Sequence, residues 1–493
     1  MEHHRIDESY WLGVWRRFRK HRLGMLGLYL VIFFCLVGIY APFLASSKPL
    51  VVNYDGEWYF PLFRYLFYRG FFTKRLDIFF NLLMFTAPLA LLFFRLFRSW
   101  PRIRSWLLVL VAVMQFGFFG YYSYMTPKDP ATSVALNKQR QKALKVQPLP
   151  SWYFDLQFMT PYAKLNAVLR YQQRLAQQEK FERYSAVLGK LPTLWQMDKD
   201  HDDEEIKRSE EILIKNPYSV VAKARIAYIK DKRRWLEEQV KLLTYEVNPL
   251  IRPFHWEDDA GGSQALNRRL PWLDLTRINR KDLMAALIFG VRISLVVGLL
   301  AVSLAMSIGI PIGAFAGYYG GNFDIVVSRM LEIWESMPTF FMLLMVVAIT
   351  QSKSIFLVIA VIGVFGWTGF SRYIRGEFFK QRNLPYVEAC HAMGFNDRYV
   401  MFSHILPNAI PPLLTLLPFA VMGAITSEAG LSFLGLGEEG SCSWGVLMDE
   451  GRSAFPAESY LLWPPAILLT ILLVAIALVG DALRDTLDPK LVR

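Results

Sequence analysis

Few groups of residues in this chain have the types and spacing for chemistry, and each has a plainer reading beside it. The run MDKDHDDEE, Met197 to Glu205, crowds carboxylates around His201. A hard-cation site would need those oxygens gathered about one point. The run lacks the glycine turn and ligand spacing of a calcium loop, so a solvated acidic linker is the expectation and no metal is assigned. Glu332 and Glu335, in RMLEIWESMP, open an apolar run. A carboxylate inside a bilayer is by default a candidate for a polar path, but these stand near the end of the run, where an interfacial structural role is the plainer reading. Met337 and Pro338 follow as a candidate gate constriction or a simple kink. Cys35, Cys390 and Cys442 lie far apart in sequence, which supports neither a disulfide framework nor a zinc pattern. There is no GxxxxGK[ST] phosphate loop and no GxSxG elbow. The chain is therefore not expected to hydrolyse ATP itself or to be a membrane-embedded hydrolase.

The most structured candidate is YVEACHAMGFNDRYVMFSHILPNAIPP, residues 386–412, which lies between apolar runs. It reads as two short helices around an elbow. The first runs from about Leu384 to Met393, with Pro385 tolerated in its first turn. Gly394 stands where a left-handed stop is needed, and Asn396 is placed to cap the second helix. Phe395 and Val400 have the spacing of a hydrophobic staple, and Pro407 is expected to end the second helix. Glu388 falls near the positive end of the first helix, a favourable place for a carboxylate. Ala389 and Cys390 are small enough for a partner surface to approach. A helical loop that merely caps a bundle has the same pattern. A DNA-reading helix-turn-helix is disfavoured, because flanking spans would hold it against the bilayer.

The elements that must position this elbow are set by composition. The 493 residues are 54% hydrophobic and 15% aromatic, too apolar for an ordinary soluble chain. A bilayer core of roughly 30 Å takes about 20 apolar residues per helix. Runs at 24–46, 77–97, 105–124, 291–317, 331–350, 354–370, 409–427 and 461–480 meet or approach that length. The fold class expected is thus an all-α polytopic membrane protein with about eight spanning helices. The formal charge of +13 fits cytoplasmic loops better than nucleic acid. The basic WRRFRKHR before the first run has no small-residue cleavage site behind it, so that run is read as a retained span.

With a cytoplasmic N-terminus, the loop RLFRSWPRIRS, the stretch 371–408 and the C-terminal tail fall inside with their arginines and lysines. Segment 47–75 falls outside yet carries Lys48, Arg64, Arg69, Lys74 and Arg75, an exception to the charge rule. Residues 125–281 form an outer soluble insert. Within it LNAVLRYQQRLAQQEKFERYSAVL and AKARIAYIKDKRRWLEEQVKLLTYEV read as helices with apolar residues three and four apart. The organisation expected is a cytoplasmic N-terminus with first span (1–46), an extra transmembrane hairpin region (47–124), an extracytoplasmic helical insert (125–281), a membrane core (282–482) and a cytoplasmic tail (483–493).

At this point the sequence resembles a known family. Glu388, Ala389, Cys390, Gly394, Ile405, Leu406 and Pro407 look like the EAA loop of ABC-importer permeases. In that family the loop forms the coupling helices that sit in a groove of the cytoplasmic ATPase. WRRFRKHRLGMLGL, LIFGVRISLVVGLLAV, GAFAGYYGGNFD, SEAGLSFLGLG, SWGVLMDEGR and GDALRDTLDPKL resemble the C-type subunit of dipeptide and oligopeptide permeases. These stretches cover 10–46 and 282–493. Cys390 replaces the usual alanine, and LTRINRKD keeps only Thr276, Lys281 and Asp282 of a more regular outer motif. The hairpin 77–124 and the insert 125–281 are absent from ordinary members.

The resemblance implies a type I permease core in the bacterial cytoplasmic (inner) membrane. It implies a second permease subunit, two ABC ATPase subunits or domains that bind ATP and Mg, and an extracytoplasmic substrate-binding protein, with no cofactor in this chain and no nucleic acid. Cargo stays open among oligopeptides, dipeptides, glutathione-like compounds and nickel chelates. The reading from a different class is a non-transporting scaffold whose outer insert binds envelope partners.

Overall fold

A computed structural model describes residues 10–46, 48–67, 74–125, 131–146, 151–183, 194–251, 283–438, 441–453, 455 and 462–487. The chain divides into two compact units, one of residues 1–38 with 289–493 and one of residues 39–288. The LTRINRKD motif and the ends of the expected tail lie outside the described residues.

The first unit opens with α1 (Tyr10–Lys20) and α2 (Arg22–Ile39). Val14 and Phe18, four apart on α1, are buried, while Trp11 and Trp15 are exposed; such an apolar stripe is the mark of an amphipathic helix. The first span ends at Ile39 rather than 46. Pro42, which supplies no backbone N–H, starts a separate short helix at Ala41–Leu44.

The second unit contains a small three-stranded sheet, where most of the described residues are helical. Strands β1 (Val51–Tyr54), β2 (Glu57–Tyr59) and β3 (Leu243–Val247) form an antiparallel sheet of order β2-β1-β3. Asp55 and Gly56, at φ 55° and 77°, make the β1–β2 turn, the two-residue geometry that suits the twist of a hairpin. Val51 opposes Val247, and Tyr54 opposes Leu243. The residues LLTYEV therefore do not continue the preceding helix. Thr244, Tyr245 and Val247 suit a pleated surface, and β1 supplies the partner from far away in sequence.

The longer helices described in this unit are α3 (Arg75–Leu96), α4 (Pro101–Tyr124), α5 (Val134–Val146), α6 (Pro161–Arg183), α7 (Leu194–Lys215) and α8 (Val220–Val240). The α3–α4 hairpin is pinned inside by the Thr86 hydroxyl donating to Gln115 Oε1 at 2.7 Å and by Gln115 Nε2 donating to the Phe79 carbonyl at 3.0 Å. Val52 and Tyr54 of the sheet pack with Leu165, Val168 and Leu169 of α6.

The run MDKDHDDEE is helical rather than a linker, because its carboxylates have cationic partners on neighbouring helices. Asp198 pairs with Arg174, Asp203 with Arg233 at 2.7 Å and Glu205 with Arg225 at 2.7 Å. Basic residues of 47–75 have aromatic neighbours within this unit. Lys48, Arg64 and Arg75 lie over the rings of Tyr65, Tyr162 and Tyr124, at 5.2, 4.5 and 5.9 Å from the centroids. Each ring face attracts the cation above it and leaves the net charge in place.

The first unit resumes within α9 (Leu283–Tyr319). The span expected at 331–350 is broken into α10 (Gly321–Ser336) and α11 (Thr339–Thr350), which bend by 76°. Met337 stands before Pro338 and is extended, at φ −88° and ψ 122°, as the proline ring requires. Next come α12 (Ile355–Phe365) and α13 (Trp367–Gln381). The stretch from 371 is therefore helical up to Gln381 and carries Arg372, Arg375 and Lys380 on a helix.

After α14 (Pro385–Ala392), helical residues 397–413 form α15, followed by α16 (Leu417–Leu431), α17 (Trp444–Ser453) and α18 (Trp463–Leu487). Helix α1 packs on α18, and α16 packs on both α17 and α18. Seven helices among the described residues are long and apolar enough to cross a membrane, or eight if α10 and α11 cross as one.

Candidate functional site

The elbow is built by backbone hydrogen bonds at two adjacent caps. Helix α14 ends when the Gly394 N–H donates to the His391 carbonyl at 2.9 Å and the Phe395 N–H to that of Cys390 at 3.1 Å. This pair of bonds is a Schellman stop, which needs a left-handed residue at the position of Gly394; its φ is 78°. Asn396 then accepts from the Tyr399 N–H at 2.8 Å and caps α15. The turn is thus fixed from both sides within three residues.

Pro407 does not end the second helix. A π-helical turn at Val400–Ile405 precedes it, and the Leu406 N–H reaches back to the Met401 carbonyl. Widening the helix by one residue there lets a proline without an N–H follow, and α15 continues to Leu413. Phe395 packs on the rings of Tyr399 and His404, with centroids 5.1 and 6.1 Å away, while Val400 is fully buried.

The exposed side of the elbow carries Glu388, Ala389, Ala392, Met393, Phe395 and Tyr399. Met393 is 65% exposed. Cys390 does not join this surface. It is buried with Val387, three residues earlier on the same side of α14. Ile405 is buried too, Leu406 is half-buried and Pro407 is exposed. The expected set thus separates into an outward group (Glu388, Ala389, Gly394, Pro407) and an inward group (Cys390, Ile405, Leu406) that fixes the helices beneath. Burial pushes the Tyr386 phenol up, opposed by its hydrogen bond with Asn408, and its hydroxyl donates to Gln381 Oε1 at 2.7 Å.

Residues that the sequence reading passed over tie this elbow to the long helices. The Tyr318 hydroxyl, at the end of α9, donates to Asp397 Oδ1 at 2.9 Å and lies 3.3 Å from His391 Nε2. Arg382 donates to the carbonyls of Gly317 and Tyr318 at 3.2 and 3.1 Å. Lower on the same helices, Gly309, Gly313 and Gly317 of α9 lie against backbone of α13. A Cβ on Gly313 would stand 2.2 Å from the Ser371 carbonyl oxygen. Helix α13 also binds α10. Arg375 forks onto the Asp324 carboxylate, with one bond at 3.0 Å, and Arg372 pairs with Glu335. Ala316, Val327, Leu331 and Trp367 form a common core of α9, α10 and α13.

Of the expected pathway residues, Glu335 is thus tied to α13, and Glu332 pairs with Arg329 one turn away. Met337 and Pro338 sit at the break between α10 and α11. None of these four is brought to the elbow surface. A second missed feature is Glu428 on α16. It is only 2% exposed, and the hydroxyls of Ser432 and Ser443 both donate to its Oε1, at 2.7 and 2.6 Å. Ser443 directly precedes α17, so this carboxylate fastens α16 to the start of α17.

Residues 309–493 match the family model described as binding-protein-dependent transport system inner membrane component. Residues 9–61 match the N-terminal TM domain of oligopeptide transport permease C. Over 222 residues the chain is 37% identical to the peptidoglycan transport system permease protein YejE of Agrobacterium fabrum, an alignment covering 45% of this chain and 58% of the relative. It is 36% identical over 223 residues to the inner membrane ABC transporter permease protein YejE of Escherichia coli, covering 45% and 64%. With the oligopeptide transport system permease protein OppC of Haemophilus influenzae it shares 34% identity over 247 residues, covering 50% and 79%. The chain therefore spans less than two thirds of either YejE protein.

Proposed function

The chain belongs to the family of binding-protein-dependent transport system inner membrane components, and we propose from that premise that it is a permease subunit of an ATP-driven importer of peptides. It is a multi-pass protein of the bacterial inner membrane. Peptides are chosen as cargo because relatives named for oligopeptide and dipeptide transport recur among the matches.

The observation that carries this reading is the doubly capped elbow, which exposes Met393, Phe395 and Tyr399 and is held by Tyr318 to a long spanning helix. In this proposal a cytoplasmic ATPase receives that surface, with Glu388 and Ala389 at the contact and Cys390, Gly394, Ile405 and Leu406 keeping its shape. Two such ATPase subunits bind ATP and Mg, a second permease subunit completes the pathway, and an extracytoplasmic binding protein delivers cargo. When the ATPases close, the elbow moves as one piece and carries α9 and α13 with it, because their backbones touch. Met337 and Pro338, at the break beside Glu332 and Glu335, are the proposed gate. The helical insert is proposed to lie on the extracytoplasmic side.

The test is to purify the native complex and measure ATP hydrolysis with candidate cargo. An ATPase that co-purifies and is stimulated by a peptide supports the proposal. A chain that purifies with no ATPase would instead fit a scaffold.

A further inference from the structure

A groove of about 700 Å³ opens on the α3–α4 hairpin, lined by Pro88, Leu91, Leu92, Phe94, Arg95 and Arg98. Both family models leave this hairpin unmatched, since they cover 9–61 and 309–493. Pro88, Leu91, Leu92 and Arg95 recur every three or four residues and form one stripe along the end of the helix, and Arg98 joins them from the turn that follows it. The stripe is apolar on the side of the helix middle and cationic at the tip. An occupant complementary to it has a hydrocarbon part and an anionic head in that order.

Among the described residues the charge at the tip is uncompensated. Arg95, Arg98, Arg102 and Arg104 gather there, and none forms an ion pair among the described residues. The only carboxylate in residues 74–125 is Asp77. It lies at the far end of α3, about 27 Å away at 1.5 Å per residue, where it accepts from the Lys74 N–H at 3.1 Å. Arg104 lies over the ring of Phe94, 4.8 Å from its centroid, which carries the cationic patch onto the groove wall. Trp100 and Trp106 are 63% and 77% exposed at the same end, as side chains at a membrane–water boundary are. The helix below them is apolar enough to cross the bilayer.

We propose that this groove is a binding site for an anionic phospholipid, whose phosphate head is held by Arg95 and Arg98 and whose acyl chain lies along Leu91, Leu92 and Pro88. Arginines that served only to orient the hairpin would show no preference among lipids of the same leaflet, so lipid selectivity separates the two roles.

The full-length chain, reconstituted in nanodiscs of mixed phosphatidylglycerol and phosphatidylethanolamine and released into the gas phase, reads this out as retained lipid by native mass spectrometry. Phosphatidylglycerol should be retained in preference. Arg95→Gln with Arg98→Gln should weaken that retention by roughly thirtyfold, since each basic residue near a surface contributes about fivefold. Lys142→Gln with Lys145→Gln on α5 should leave it unchanged. Inorganic phosphate at millimolar concentration should not displace the lipid; displacement would show that the arginines bind a free anion and would overturn the proposal. Equal retention of both lipids by the unaltered chain, a comparison that needs no variant to fold, would overturn it as well.

Discussion

The Tyr318 hydroxyl bonds the Asp397 carboxylate at 2.9 Å and stands 3.3 Å from His391, so one side chain at the end of α9 touches both arms of the elbow. Removing that hydroxyl in Tyr318→Phe should cost about 1 kcal/mol, the usual net worth of a hydrogen bond, held down here by exposure. Amides of 391–399 should then exchange faster with deuterated solvent while those of α9 hold. Unchanged exchange at the elbow would show that the hydroxyl is not what holds it.

Gly394 offers a cleaner separation of shape from space. No atom lies within 4 Å of the Cβ it lacks, yet its φ is 78°. A substitution there is opposed by backbone conformation alone, by about 1–2 kcal/mol for most side chains. Gly394→Val should lose uptake and ATPase association while still inserting in the membrane. Gly394→Asn should retain most of both, since asparagine visits this region more readily. Equal loss in the two variants would count against the left-handed stop as the cause.

Gly313 is restricted for the opposite reason. It lies in ordinary helix, but a Cβ would meet the Ser371 carbonyl oxygen at 2.2 Å. Gly313→Val should therefore push α9 from α13 and lower stability by about 1–3 kcal/mol, the usual range for overpacking. Gly376, on α13 with open space around it, is the control. Gly376→Ala should raise the melting midpoint, because alanine is better by up to about 1 kcal/mol in a helix. Thermal unfolding of both variants in detergent checks the pair.

Glu428 should discriminate between two neutral replacements. Gln keeps an acceptor for the hydroxyls of Ser432 and Ser443, whereas Leu leaves both donors buried without a partner. That costs about 1–3 kcal/mol for each group. Glu428→Leu should thus melt well below Glu428→Gln, and a second change of both serines to alanine should recover part of the loss. Equal melting of the two variants would remove the fastening role.

The sides of the membrane can be read by chemical labelling. A cysteine placed at Asp200 should react with an impermeant thiol reagent in intact spheroplasts, and one placed at Ser99 should react only after the membrane is opened. The reverse pattern would invert the proposed orientation.

What could be read from the sequence was what depends on neighbours in the chain. The glycine stop and asparagine cap of the elbow are local signals, and Gly394 and Asn396 take those roles. The inward turn of Cys390 was also available, since Val387 and Cys390 have the spacing of one helical side. The bend at Met337 and Pro338 was legible as a kink but not as a break of 76°, because a proline fixes only the residue before it. Partners remote in sequence were not legible. Nothing near Asp397 points to Tyr318, 79 residues away, and nothing near Leu243–Val247 announces strand β1. The helical state of the acidic run at Met197–Glu205 is illegible for the same reason: Arg174, Arg225 and Arg233 pair with its carboxylates only after three helices have come together.

Strand β1 lies between β2 and β3, so the chain leaves the sheet after Tyr59 and returns at Leu243 within two strand spacings, roughly 10 Å. Everything between is a detour with neighbouring ends. Such a detour can lengthen or shorten at its far loops over generations without parting the strands, provided α6 still covers Val52 and Tyr54. For an experimenter the same geometry marks a docking bay, where a fluorescent protein with adjacent termini could be installed between β2 and β3.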